Sequence, residues 1–173
     1  MTQELFEKII DDCTQFSLPA IEPFLNGEPF CDPLLLKRLE LIRKRLPNTE
    51  LRLYTNGYAL TPARQDALAE IGVDHLFISL NTLDPVKYEQ VTGLSLQKTL
   101  ANLEYFSSHQ RRQSIASKLT VRMTRLDDTS LEEQQHFIDF CTERDVIPFI
   151  AALYNYKGDI YSSLPVLRDP LKL

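Results

Sequence analysis

Leu25-Asn26-Gly27-Glu28-Pro29 is the stretch on which the fold turns: an apolar run breaking into a Gly-Glu-Pro turn. Two more such breaks follow, Tyr54-Thr55-Asn56-Gly57 and Ile78-Ser79-Leu80-Asn81. Each sets small polar groups where a strand stops, and each is succeeded by a helical stretch. In folds of alternating strands and helices, that edge is where ligands bind and chemistry is done.

Working outward, Thr2 is an N-cap for a helix with Leu5, Phe6, Ile9 and Ile10 at helical spacing. Leu18–Leu25 reads as a strand. Asp32-Pro33, Thr61-Pro62 and Asp84-Pro85 each start a helix, with Pro at the first helical position. Leu51–Tyr54, His75–Leu80, Leu119–Met123 and Ile147–Leu153 read as strands, with helical runs over Lys98 to His109 and after Ser130. The alternation predicts an α/β fold: an open, TIM-barrel-like partial (β/α) barrel of five parallel strands joined by right-handed crossovers. The series opens with a helix, so the first strand of a barrel is missing. Residues 1–158 make this incomplete barrel, and 159–173 read as a linker-like tail.

Side-chain parity says what the barrel encloses. Leu119, Val121 and Met123 share one face of their strand, and Thr120, Arg122 and Thr124 the other. Leu76, Ile78 and Leu80 likewise oppose Phe77, Ser79 and Asn81. Parallel strands are usually apolar on both faces. A polar inner face predicts a wet, ligand-holding lumen.

Composition narrows the function classes. The 173 residues are 43% hydrophobic and 25% charged, with a formal net charge of -5, which offers nothing to nucleic acid or to an anionic membrane. Residues 1–12 carry Glu4, Glu7, Asp11 and Asp12 in place of the basic and apolar regions of a signal peptide. A cytoplasmic location follows as the expectation. Cys13, Cys31 and Cys141 are odd in number and lack metal-ligand spacing, and the histidines are scattered, so no metal ligand is assigned. Ser79 lacks the G-x-S-x-G elbow of a hydrolase nucleophile.

The order and spacing of these segments resemble the radical S-adenosylmethionine (SAM) superfamily. Asn26-Gly27-Glu28-Pro29 is similar to the family's Gly-Gly-Glu-Pro, which contacts the methionine amino group. Thr55-Asn56-Gly57 is similar to a turn common in the family. Ser79 falls where the family places a hydroxyl against the carboxylate or ribose of SAM, and Arg122 where many members hold the carboxylate. Tyr88-Glu89-Gln90-Val91-Thr92-Gly93 with Asn102-Leu103, and Asn155-Tyr156-Lys157-Gly158, resemble the subgroup carrying a C-terminal SPASM or twitch extension. The resemblance implies SAM and a [4Fe-4S] cluster in the parent enzyme. It also implies a 5′-deoxyadenosyl radical that takes hydrogen from a peptide, protein or small-molecule substrate.

Two departures qualify it. The cluster triad C-x3-C-x2-C and its strand belong ahead of Met1, and the auxiliary-cluster cysteines are absent at the back. A cluster needs about three or four convergent thiolates, so none is expected on these residues. The chain then reads as part of a larger enzyme, inactive alone and prone to self-association through its exposed barrel edge. The alternative is a degenerate barrel serving as a binding or scaffold module. A phosphate-binding β/α enzyme is disfavoured, because no Gly-rich strand-to-helix loop offers a nest of amides.

Overall fold

The computed structural model describes residues 1–24, 27–108, 118–125, 129–154 and 160–161. Helix α1 (Gln3–Cys13) opens at Thr2, whose Oγ1 accepts from Leu5 N at 3.3 Å. Strand β1 is only Ala20–Ile21, shorter than the Leu18–Leu25 run predicts. Pro19 and Pro23 bracket it, and a proline cannot donate to a ladder.

A 3-10 turn (Pro29–Cys31) leads to α2 (Leu35–Arg45). This helix starts later than Asp32-Pro33 suggests. Asp32 instead accepts from Leu34 N at 2.9 Å and from Arg38 Nη1 at 2.6 Å, holding a turn ahead of the first helical residue. Then follow β2 (Glu50–Thr55), α3 (Pro62–Ile71), β3 (His75–Ser79) and α4 (Pro85–Thr92). Beyond them lie α5 (Leu96–Ser107), β4 (Lys118–Arg125), α6 (Leu131–Glu143), β5 (Ile147–Tyr154) and β6 (Ile160–Tyr161). Helices α3 and α4 do begin at Thr61-Pro62 and Asp84-Pro85, and Ser130 caps α6 through a reciprocal capping box with Glu133.

The strands form one open sheet in the order β1-β2-β3-β4-β5-β6. The first five are parallel, as the alternation predicts. The sixth pairs antiparallel with β5 through Leu153↔Tyr161 and Tyr154↔Ile160, inside the stretch read as a linker. Parity holds. Leu51, Leu53, Leu76, Ile78, Val121 and Met123 are buried with Leu39, Ile42, Leu103, Phe106 and Phe137 of the helices in one core. The opposite face of β2–β4 is left to line the lumen. No helix among the described residues is long and apolar enough to cross a membrane.

Candidate functional site

The loop after β1 meets the end of β2 through one carboxylate. Glu28 Oε1 accepts from Phe30 N at 3.2 Å and from Thr55 Oγ1 at 2.7 Å, and Oε2 accepts from Asn56 N at 2.7 Å. A carboxylate offers about four acceptor directions, so three donors leave room for one more at most. Glu28 is therefore first a brace between the two loops, a role that the sequence does not disclose. Thr55 Oγ1 also accepts from Gly57 N at 3.1 Å, and Asn56 Oδ1 accepts from Tyr58 N at 2.9 Å. Gly27 adopts φ 90°, a left-handed conformation that other residues resist, and nothing lies within 4 Å of where its Cβ would point. Pro29 is buried at the foot of the loop. Asn26 lies outside the described residues, as does Asn155-Tyr156-Lys157-Gly158.

Ser79 and Arg122 sit side by side in the β3–β4 register, and Arg122 lines the cavity on that face of the sheet. Arg122 has no carboxylate partner among the described residues, and its Nε is buried without a hydrogen bond. Buried polar groups in native proteins are almost always satisfied. The Nε atoms of Arg43 and Arg52 are unpaired as well, but of the three arginines only Arg122 brings its unused donor to the wall of a cavity. That cavity, about 380 Å³, is lined by Tyr54, His75, Phe77, Thr120, Arg122 and Phe149.

Its wall is an aromatic ladder. Tyr54 stacks on Phe77 at 4.1 Å and 4°, and His75 stacks on Phe77 at 3.9 Å and 23°. Two rings cannot both lie about 4 Å over one face, so Phe77 is sandwiched. Phe24 tilts against Tyr54 at 5.6 Å. Sequence reasoning missed this wall; the available signal was the inward parity of Tyr54, His75 and Phe77. Burial and Glu22 push the Tyr54 phenol up, with Arg122 acting against them.

His75 closes the lumen below. Its Nε2 lies 2.8 Å from Thr120 Oγ1, and Nδ1 lies 3.8 Å from Glu50. Burial holds its pKa below 6.5, with Lys118 and Arg52 acting in the same sense and Glu50 against them. A base whose folded pKa is depressed is protonated first in the unfolded chain. Its stability contribution is full above pH 6.5 and is lost as pH falls through the folded value. The melting temperature is therefore expected to drop on acidification below pH 6.5, and His75→Gln to flatten that slope. Equal slopes for both proteins would show that His75 does not carry it.

The three cysteines lie on different elements. Cys13 is half-buried on α1, Cys31 is exposed beside the loop, and Cys141 is buried in the core on α6. Among the described residues no group of three His, Cys, Asp or Glu side chains is placed to hold a metal ion. Burial pushes the Cys141 thiol up to about 12. Alkylation by iodoacetamide at mildly alkaline pH is expected to label Cys31 first and to spare Cys141 in the native state. Native labelling of Cys141 at the rate of Cys31 would contradict its burial.

Residues 23–141 match the family described as the Radical SAM superfamily. The FeMo cofactor biosynthesis protein NifB of Klebsiella pneumoniae is 50% identical over 59 residues, 34% of this chain and 12% of that protein. A probable GTP 3',8-cyclase of Methanococcus vannielii is 30% identical over 107 residues, 60% of this chain and 34% of that protein. The chain thus spans only a minor part of the length of these relatives. Streptococcus suis SuiB, solved with S-adenosylmethionine bound, superposes with a TM-score of 0.72 at 18% identity, over 90% of this chain and 34% of that one. At that identity the likeness is one of fold.

Proposed function

Because the chain belongs to the radical SAM superfamily, as its match over residues 23–141 shows, we propose that it is the SAM-holding portion of a radical enzyme of the SPASM or twitch subgroup. When bound, SAM supplies in this family a 5′-deoxyadenosyl radical for hydrogen abstraction. The residues here bind and orient. Arg122 takes the carboxylate of the methionine moiety and Ser79 donates beside it. The Asn26-Gly27-Glu28-Pro29 loop, held by Thr55 and Asn56, receives the amino group. The aromatic-walled lumen receives the reacting part of a peptide, protein or small-molecule substrate and excludes water. The observation that carries this reading is the orphan Nε of Arg122 beside Ser79.

The cluster thiolates do not come from Cys13, Cys31 and Cys141, so anaerobic reconstitution of this chain yields neither a four-iron chromophore nor 5′-deoxyadenosine. The cytoplasm is the proposed location, and the outer edge of β1 the proposed route of self-association. What favours a binding or scaffold module instead is the same scattered thiols.

Equilibrium dialysis tests the binding. Two or three contacts of about 1–3 kcal/mol each, less ordering costs, leave about 4 kcal/mol, a millimolar affinity. SAM is expected to bind saturably in that range and 5′-methylthioadenosine, which lacks the amino and carboxylate groups, more weakly. Equal binding of the two, or none of SAM, would overturn the reading.

A further inference from the structure

The turn Thr55–Tyr58 has two sides, and only one of them faces Glu28. On the other side the Asn102 carboxamide, on α5 and 8% exposed, donates from Nδ2 to Gly57 O at 2.9 Å and to Tyr58 O at 3.1 Å. Asn102 is itself fixed from α3. Gln65, fully buried, donates from Nε2 to Asn102 O and to Leu60 O, both at 2.9 Å. Helix α5 also touches the turn directly. The Thr99 Cγ2 lies 3.3 Å from where a Gly57 Cβ would stand, and Thr99 Oγ1 lies 3.0 Å from Tyr88 OH of α4.

The peptide groups of the turn therefore send carbonyls inward to Asn102 and the Asn56 amide outward to Glu28. We propose that Asn102 is a positioning residue for the loop Gly27–Cys31: by holding the carbonyls of the turn it aims the Asn56 amide and the Thr55 hydroxyl at Glu28. This rests on the reading of that loop as part of the SAM site. An apolar residue at 102 would take the Asn102 donor from Tyr58 O and leave Gly57 O with only Leu60 N at 3.2 Å, and the turn would rotate to find others. The Asn56 amide would leave Glu28 as it did so. Asn102 touches no ligand; it acts through the turn.

The test is amide hydrogen exchange by NMR on the 173-residue chain, with the dialysis assay beside it. Asn102→Asp keeps the shape and removes the donor, and Asn102→Ala removes both. In each, the Asn56 and Phe30 amides are expected to exchange at least about tenfold faster, the equivalent of one lost hydrogen bond. The Val121 and Met123 amides of β4 keep their protection, and SAM affinity falls severalfold. Thr55→Val cuts the next link without touching α5 and is expected to release the Phe30 amide in the same way, which keeps the test decisive if the Asn102 variants fail to fold. Unchanged exchange at Asn56, acceleration of Asn56 and Val121 by one common factor, or unchanged Phe30 in Thr55→Val would each overturn the proposal. The predicted exchange pattern in a chain that binds no SAM would uphold the positioning role and remove the SAM reading instead.

Discussion

Arg122→Gln abolishes measurable SAM binding by this chain while leaving its melting temperature unchanged or higher. The two halves of that result have one cause. A charge-assisted hydrogen bond contributes about 1.5–3 kcal/mol, so losing it takes a millimolar ligand down by ten- to a hundredfold. The folded state loses nothing in return, because the Arg122 Nε is buried with no partner and the side chain has no carboxylate beside it among the described residues. Removing an unpaired charge from a cavity relieves desolvation. A structural arginine behaves in the opposite way. Arg43 donates to Pro47 O, Thr49 O, Gly72 O and the Asp74 carboxylate, and its replacement would cost stability. Calorimetry of Arg122→Gln beside dialysis separates the cases. A fall in melting temperature with SAM affinity retained would make Arg122 a structural residue.

Gly57→Ala destabilises the fold by about 2–5 kcal/mol, and Gly93→Ala by only about 1–2 kcal/mol. Both glycines are left-handed, with φ 76° and 69°, and each carries the conformational cost of about 1–2 kcal/mol. Only Gly57 is also crowded: its Cβ would stand 3.1 Å from Ile78 Cγ2 and 3.3 Å from Thr99 Cγ2, whereas nothing lies within 4 Å at Gly93. Overpacking adds about 1–3 kcal/mol, and Ile78 and Thr99 belong to rigid elements that yield little. Urea unfolding of the two variants isolates the crowding as their difference. Equal losses would mean that α5 does not press on the turn. Gly57→Ala also pushes the turn off Glu28, so SAM affinity falls with stability, unlike in Arg122→Gln.

Much of the fold was legible because it rests on local chemistry. Asp84-Pro85, Thr61-Pro62 and Ser130 mark helix starts whatever surrounds them, and strand parity alone separates Leu76 and Ile78 from Phe77 and Ser79. The short β1 was legible too, since Pro19 and Pro23 stand in the sequence, but the apolar run of Leu18–Leu25 outweighed them. What the sequence conceals is long-range. The stack of Tyr54 on Phe77 needs the β2–β3 register that sets Tyr54 opposite Phe77. The brace of Glu28 needs Thr55 and Asn56, which lie 27 and 28 residues away. The start of α2 lies beyond Asp32, whose two oxygens hold the preceding turn through Leu34 N and the distant Arg38. Strand β6 is two residues long and owes its pairing to β5 rather than to any periodicity of its own.

The central claim is that SAM is held on the lumen side of the carboxyl edge of the sheet, by loop 27–29, turn 55–57 and the Ser79–Arg122 pair. Titration of isotope-labelled protein with SAM, followed by amide and guanidinium NMR shifts, tests it most directly. Saturable shifts are expected at Gly27, Glu28, Asn56, Gly57, Ser79 and the Arg122 Nε, with the core amides of α2 and α6 unmoved. Shifts confined to the helical outer face, or an Arg122 Nε that does not move at saturation, would contradict it.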